Sequence, residues 1–438
     1  MCGRSVSRRD GVHSGRPPHN RRFEVQEAER DVAVEDEAEW FLTPGDPRRG
    51  VAREDPYPLY ARLREQRPVL ECSQKRWLVT RYADVLGVLR GNSWSRDELA
   101  AEGVALDAAT LPPSRRLSAF SLLRRDPPDH TRLRRVVAPF FTARGVARWR
   151  ARVDELTRDL LEAVRDKDSF DFYAEVSRRL PVMVICELLG VPADDMDEFA
   201  RWAATTLSVL EPGDDPAAVQ AAREAAATSC LEFFNALADE RVRSTRRPDD
   251  LISHMIGVDE DRLSRDELVS TAVMLHIAGH ETTANLVSNG LLTLLRHEDQ
   301  FELLRSDPSL VPNAVEEMLR FDSPARNALT RIAVEPVEVG GVTIPRGDTV
   351  YAVLGSANRD GATFTDPDTF DVSRTNNPHL AFGSGIHYCL GANLARIEAQ
   401  AVFTRLITDY PRLRLVAEPR WRDSFVLRAL EGLEVAWE

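Results

Sequence analysis

Lysine is nearly missing from this chain of 438 residues: Lys75 and Lys167 are the only two, so arginine supplies 55 of the 57 basic side chains. The bias reads as the codon usage of a GC-rich genome, and it leaves many permanently charged guanidiniums available to carboxylates. Cysteine is sparse too. Cys2, Cys72, Cys186, Cys230 and Cys389 form an odd, scattered set with no C-x-x-C pair. That pattern argues against a disulfide framework or a zinc finger and favours a reducing compartment. No run of 18 uninterrupted apolar residues occurs; the nearest approach, Leu180 to Leu189, is broken by Pro181 and Glu187. Arg8-Arg9 lacks the apolar stretch that a twin-arginine signal needs behind it. Net positive charge is absent as well: at −13 the chain is a poor match to nucleic acid or an anionic membrane surface. These absences predict a cytoplasmic protein without a membrane anchor, and they say nothing of its chemistry.

What is present falls into blocks. Residues 1 to 40 are polar and read as a disordered leader. Residues 41 to 438 read as a single domain. The spacing predicts a helix over Tyr57 to Gln66, a strand over Arg76 to Thr80 and a helix over Arg81 to Leu89. Residues 92 to 125 lack a period and read as one long loop. Helical periodicity then dominates from His130 to about Asp299. Val334 to Thr349 alternates like short strands, residues 358 to 388 form an irregular meander, and Leu390 to Tyr410 is helical again. The last thirty residues alternate like hairpins. The fold class is mainly α with small β-sheets.

The strongest signal is Phe382-Gly383-Ser384-Gly385-Ile386-His387-Tyr388-Cys389-Leu390-Gly391. A single cysteine sits where the meander stops and a helix begins, a position that favours the thiolate. Glycines around it let the backbone approach a flat ligand closely. The stretch resembles the haem-binding loop of cytochromes P450, F-x-x-G-x-H-x-C-x-G, with every position matched. The resemblance implies the P450 fold, with haem b between a long distal helix and the cysteine-loop helix. It makes Cys389 the metal ligand, has His387 bond a haem propionate, and places Phe382, Gly383 and Gly391 against the cofactor.

Leu268 to Leu295 reads as one long helix carrying Ala278-Gly279-His280-Glu281-Thr282-Thr283. Small residues in mid-helix make room for a bulky group, and a threonine four residues after Ala278 can bond back to its carbonyl. The segment is similar to the family's A-G-x-[D/E]-T-T element. By that resemblance Thr282 steadies dioxygen over the cofactor and Glu281 belongs to a proton relay. Helical spacing puts Ala278, Ile277 and Met274 on the haem side and leaves His276 and His280 off it.

Glu317 and Arg320 match the family's E-x-x-R pair, which with Arg374 would tie a helix to the meander in a structural role. Asp126-Pro127-Pro128-Asp129-His130 through Arg134 resembles the element that clamps a propionate, and Arg331 matches a further propionate arginine. Substrate would meet residues 92 to 120, Met274 to Ala278, Ala325 to Leu329 and Ser424 to Leu427. Among these, Met274, Ile277, Ala278, Ala325, Arg326, Asn327, Phe425 and Val426 are the candidate contacts. Arg326 is read as facing solvent more readily than substrate.

The resemblance covers about residues 50 to 438. It implies a monooxygenase that inserts one atom of O2 into a C–H or C=C bond of a small apolar molecule, in a tailoring step of polyketide- or macrolide-like metabolism. Electrons would come from NAD(P)H through a ferredoxin and its reductase, with Arg132, Arg135 and Arg396 as a docking surface, on a monomeric enzyme. Two other readings stand beside it: a haem-thiolate enzyme with non-oxygenating or peroxide-driven chemistry, and a haem gas sensor or carrier.

Overall fold

A computed structural model describes residues 33–43, 46, 54–192, 198, 201–202, 205, 217–258, 261–410 and 413–438. Its axis is one helix, Arg265–Arg296, longer at both ends than its apolar spacing predicts. The start is set by a capping box: the Ser264 hydroxyl accepts the Glu267 N–H at 3.2 Å, and the Glu267 carboxylate accepts the Ser264 N–H at 2.8 Å. A helix apolar on every side must be buried. Helices Pro113–Ala119, Arg179–Leu189, Ala217–Arg243, Val311–Phe321 and Ala392–Asp409 pack around this one.

The described residues include ten short strands in three sheets. β1 (Val69–Cys72), β2 (Arg76–Val79), β3 (Trp94–Ser95), β5 (Arg331–Ala333) and β8 (Thr349–Ala352) make a sheet in the order β1-β2-β8-β5-β3. Only β2 and β8 run parallel in it, pairing Arg76 with Thr349 and Val79 with Ala352. β4 (Phe170–Asp171), β9 (Leu413–Leu415) and β10 (Glu434–Trp437) form a second sheet, with β10 in the centre. β6 (Val337–Val339) and β7 (Val342–Ile344) close a hairpin through Gly340 and Gly341, both at positive φ as such two-residue turns require.

Two expectations need correction. Residues 33 to 40 belong to the folded body and not to a leader: Val34–Leu42 is a helix that buries Val34, Ala38, Phe41 and Leu42. The Phe41 ring meets Tyr60 at 5.7 Å and Phe425 at 5.3 Å, edge-on in both cases. Residues 1 to 32 lie outside the described residues. The span 92 to 125 is not one loop, since it holds β3 and helices Glu98–Glu102 and Pro113–Ala119. Local chemistry builds them: Asp97 caps Ala100 N–H at 3.0 Å, Gly103 ends the turn at φ 71°, and the Ser114 N–H bonds Glu224 of the Ala217–Arg243 helix at 3.0 Å.

Glu317 and Arg320 are both fully buried and joined by two bonds of 2.8 Å. Arg320 also donates to the carbonyls of Asn358, Pro367 and Thr369, and Arg374 Nε reaches Glu317 at 3.1 Å. A buried ion pair is tolerable when its remaining donors are satisfied, as they are here. The meander is thus fastened to the Val311–Phe321 helix, which fixes where the following loop emerges. Among the described residues, no helix is long and apolar enough to cross a membrane.

Candidate active site

The chain leaves the meander through Gly383 and Gly385, at φ 69° and 73°. At Gly385 a Cβ would stand 2.5 Å from the Leu89 carbonyl oxygen, so the loop lies backbone to backbone on the Tyr82–Arg90 helix. Cys389 N–H donates to the Phe382 carbonyl at 2.9 Å, and the next helix begins at Ala392. Cys389 opens onto a cavity under the long helix. Burial pushes its thiol pKa up, while the Gly391 and Ala392 N–H groups and the charges of Arg134 and Arg396 pull it down. The net direction is upward, so the helix start alone does not make the expected thiolate. A metal cation on the sulfur would.

Across the cavity stand Met274, Ala278, Gly279, Thr282 and Thr283 of the long helix. Thr282 donates to the Ala278 carbonyl at 3.0 Å, the back-bond expected from the spacing. Glu281 departs from expectation. One residue along a helix is a turn of about 100°, and its buried carboxylate faces away from the cavity into an ion pair with Arg422. Tyr173 Oη lies 3.4 Å from the same oxygen and His280 Nε2 3.8 Å from the other. His276 and His280 are buried and stacked, ring centroids 5.1 Å apart, outside the cavity wall. Burial holds His280 neutral, its pKa lowered to about 4.

One end of the cavity is cationic. Arg96, Arg134, Arg331 and His387 line it, and the His130 ring sits behind, 4.2 Å from that of His387. Arg134 donates to the Tyr388 carbonyl at 2.8 Å. Burial lowers the pKa of every one of these groups, to about 10 for Arg331 and about 4 for His130. Arg96 Nε and Nη2, His130 Nε2 and both ring nitrogens of His387 are buried without a partner. Orphaned donors beside like charges are costly, and a dianion placed among them would satisfy both defects. The two propionates of haem are such a dianion, so the residues present fit haem.

The remaining wall corrects the expected substrate contacts. Met274, Ala278, Ala325 and Asn327 line the cavity; Ile277, Arg326, Phe425 and Val426 do not. Ile277 packs in the main core on another face of its helix. Arg326 is neither solvent-facing nor in the cavity: it is 1% exposed, with its guanidinium 5.8 Å from the centre of the Phe41 ring. Phe425 lies edge-on to Phe41 and Tyr351, and Val426 joins the same separate cluster.

Sequence reasoning missed three cavity residues. Arg96 was hidden in the span read as a loop, although a basic residue between Ser95 and Asp97 was a usable signal. Thr271 Oγ1 is buried on the wall without a partner, and only helical phase could have revealed it. Glu398, two and a half turns beyond Cys389, faces the cavity with Oε2 unpartnered, and burial pushes its pKa well up.

Comparisons with known proteins agree with this arrangement. The family model described as Cytochrome P450 matches residues 212–415. The chain is 40% identical over 395 residues to 6-deoxyerythronolide B hydroxylase of Saccharopolyspora erythraea, covering 87% of this chain and 96% of that one. It is 39% identical over 397 residues to cytochrome P450 monooxygenase PikC of Streptomyces venezuelae, covering 87% and 91%. Among solved structures, P450BioI in complex with an acyl carrier protein ligated to hexadec-9Z-enoic acid superposes with a TM-score of 0.82 at 34% identity, covering 88% of this chain and 99% of that one. With the site's donor set and these relatives together, the chain belongs to the cytochrome P450 family and is a haem-thiolate monooxygenase.

Proposed function

We propose that this monooxygenase acts on a small, mainly apolar organic molecule in a tailoring step of specialised metabolism. Electrons would come from NAD(P)H through a ferredoxin and its reductase. The observation that carries this reading is the cavity itself: Cys389 and the cationic end on one side, Thr282 on the other, and an apolar wall between them. That wall includes Leu122, Leu275, Leu286, Ala325 and Leu329. Thr271 Oγ1 and Asn327 Oδ1 interrupt it as two unpartnered polar atoms, which suits an apolar substrate carrying one or two hydroxyl or N–H groups. The relative named for hydroxylating 6-deoxyerythronolide B supports a substrate of this kind.

Haem, when bound, supplies the activation of O2. This chain's residues do the rest. Cys389 would ligate the iron, and Arg96, His130, Arg331 and His387 would hold the propionates. Thr282 presents a hydroxyl to the space above the cofactor. We assign proton supply to Glu281, which reaches solvent through Arg422, a side chain 35% exposed at the far end of their ion pair. Protons would pass from Glu281 to Thr282, the next residue of the same helix.

The reduced CO difference spectrum tests the ligand: the wild type is expected to show the thiolate red shift of the Soret band, and Cys389→Ala to lose it. Retention in the variant rejects the assignment. Turnover under 18O2 tests the reaction, since a monooxygenase places one labelled atom in product whereas peroxide-driven chemistry leaves it unlabelled. Thr282→Ala is expected to uncouple the cycle, with NAD(P)H consumed, peroxide released and product reduced roughly tenfold or more; full coupling removes Thr282 from this role.

A further inference from the structure

Behind the cysteine loop lies an ion-pair cluster that neither the propionate clamp nor the distal helix uses. Arg396 stands seven residues after Cys389, on the Ala392–Asp409 helix, and grips Glu316 with two parallel bonds, Nε to Oε1 at 2.7 Å and Nη2 to Oε2 at 2.8 Å. His379 Nε2 lies 3.0 Å from Glu316 Oε2, and its Nδ1 accepts the Ala381 N–H at 3.2 Å. With Nδ1 accepting, Nε2 is left to donate to the carboxylate. Burial works to raise the pKa of Glu316, but Arg396 and His379 outweigh it and hold the carboxyl down at about 2.

The Arg396 guanidinium also lies 4.5 Å from the centre of the Phe382 ring, and Tyr388 and His379 flank that ring at 6.3 and 6.1 Å. Phe382 in turn accepts the Cys389 N–H. Arg396 was expected on a docking surface, yet its side chain is only 24% exposed and fully engaged. A cation held this firmly against the ligand loop acts on the charge of the ligand.

We propose that Arg396, fixed on the Phe382 ring by Glu316 and His379, is a positioning residue that raises the reduction potential of the iron bound at Cys389. The inference rests on the reading of Cys389 as that ligand. Reduction takes one electron from the donor and converts ferric to ferrous iron, adding one negative charge at the site. A fixed cation nearby favours the reduced state and a fixed anion disfavours it, whatever the distances.

The test is spectroelectrochemical titration of the haem-loaded full chain as wild type, Arg396→Gln, Arg396→Lys and Glu316→Gln. Arg396→Gln is expected to lower the potential and Glu316→Gln to raise it, each changing the reduced-to-oxidised ratio at a fixed potential by about threefold. Arg396→Lys should fall between Arg396→Gln and wild type. Shifts of the same sign in the two glutamine variants, or no shift, overturn the proposal, because a purely structural role has no reason to follow charge. If Arg396→Gln loses the thiolate spectrum, Glu316→Gln decides: an upward shift with the ligand intact supports the role and an unchanged potential refutes it. A wild type without the CO red shift sinks the ligand reading instead.

Discussion

Arg96 brings a positive charge into the protein with Nε and Nη2 both buried and without a hydrogen-bond partner. Burial comes first among the effects that depress its pKa, and the charges of Arg331 and Arg124 add to it. A propionate oxygen would gain a charge-assisted bond there, worth about 1.5–3 kcal/mol. Arg96→Met is therefore expected to speed haem transfer to an acceptor apoglobin roughly tenfold or more, without loss of the thiolate spectrum in the protein that stays loaded. Arg326→Met should leave that rate alone, because its guanidinium lies on Phe41 outside the cavity. The two arginines show what could be read and what could not. Both stand among small or polar neighbours in the chain. Backbone pairing separates them: Arg96 N–H is held by Asp126 at 3.0 Å, and Arg326 N–H by the Val426 carbonyl at 2.8 Å, and such long-range bonds leave no mark on local sequence.

The helix Val34–Leu42 shows the same limit among elements. Its buried positions carry a helical stripe, but Glu35, Asp36, Glu37 and Glu39 stand between them and the stripe runs for only nine residues. Only its partners, Tyr60 and Phe425, make the stripe worth burying. Phe41→Ala is expected to cost about 3–5 kcal/mol, read as a lowered denaturation midpoint by tryptophan fluorescence with the haem spectrum unchanged below the transition. A midpoint within error of wild type would return this helix to the status of a loose leader. The long helix was legible except at its ends because its apolar residues surround it. Helices Glu98–Glu102 and Pro113–Ala119 were not, being too short for a period to register. Glu281 teaches a related point: the motif located it, while helical phase turned it toward Arg422.

For the whole molecule, the buried imidazole of His280 ties stability to pH. Its folded pKa of about 4 lies below the ordinary 6.5, so the unfolded chain binds the extra proton between those values. Stability from this group is complete above about pH 6.5 and falls away toward pH 4, by about 3 kcal/mol in all. Urea unfolding from pH 7 to 4.5 should show a shallower decline for His280→Gln than for wild type; parallel curves would remove His280 as the cause. The pairing of β2 with β8 has a consequence of a different sort, in the order of synthesis. Val79 meets Ala352, so the strand made early has no parallel partner until most of the chain exists. At about 5–20 residues per second, the first hairpin waits roughly 15–55 s on the ribosome with one edge uncovered. An unshielded edge of that kind is where a chaperone would hold the nascent chain, and where overproduction would send it into aggregates before any cofactor could enter.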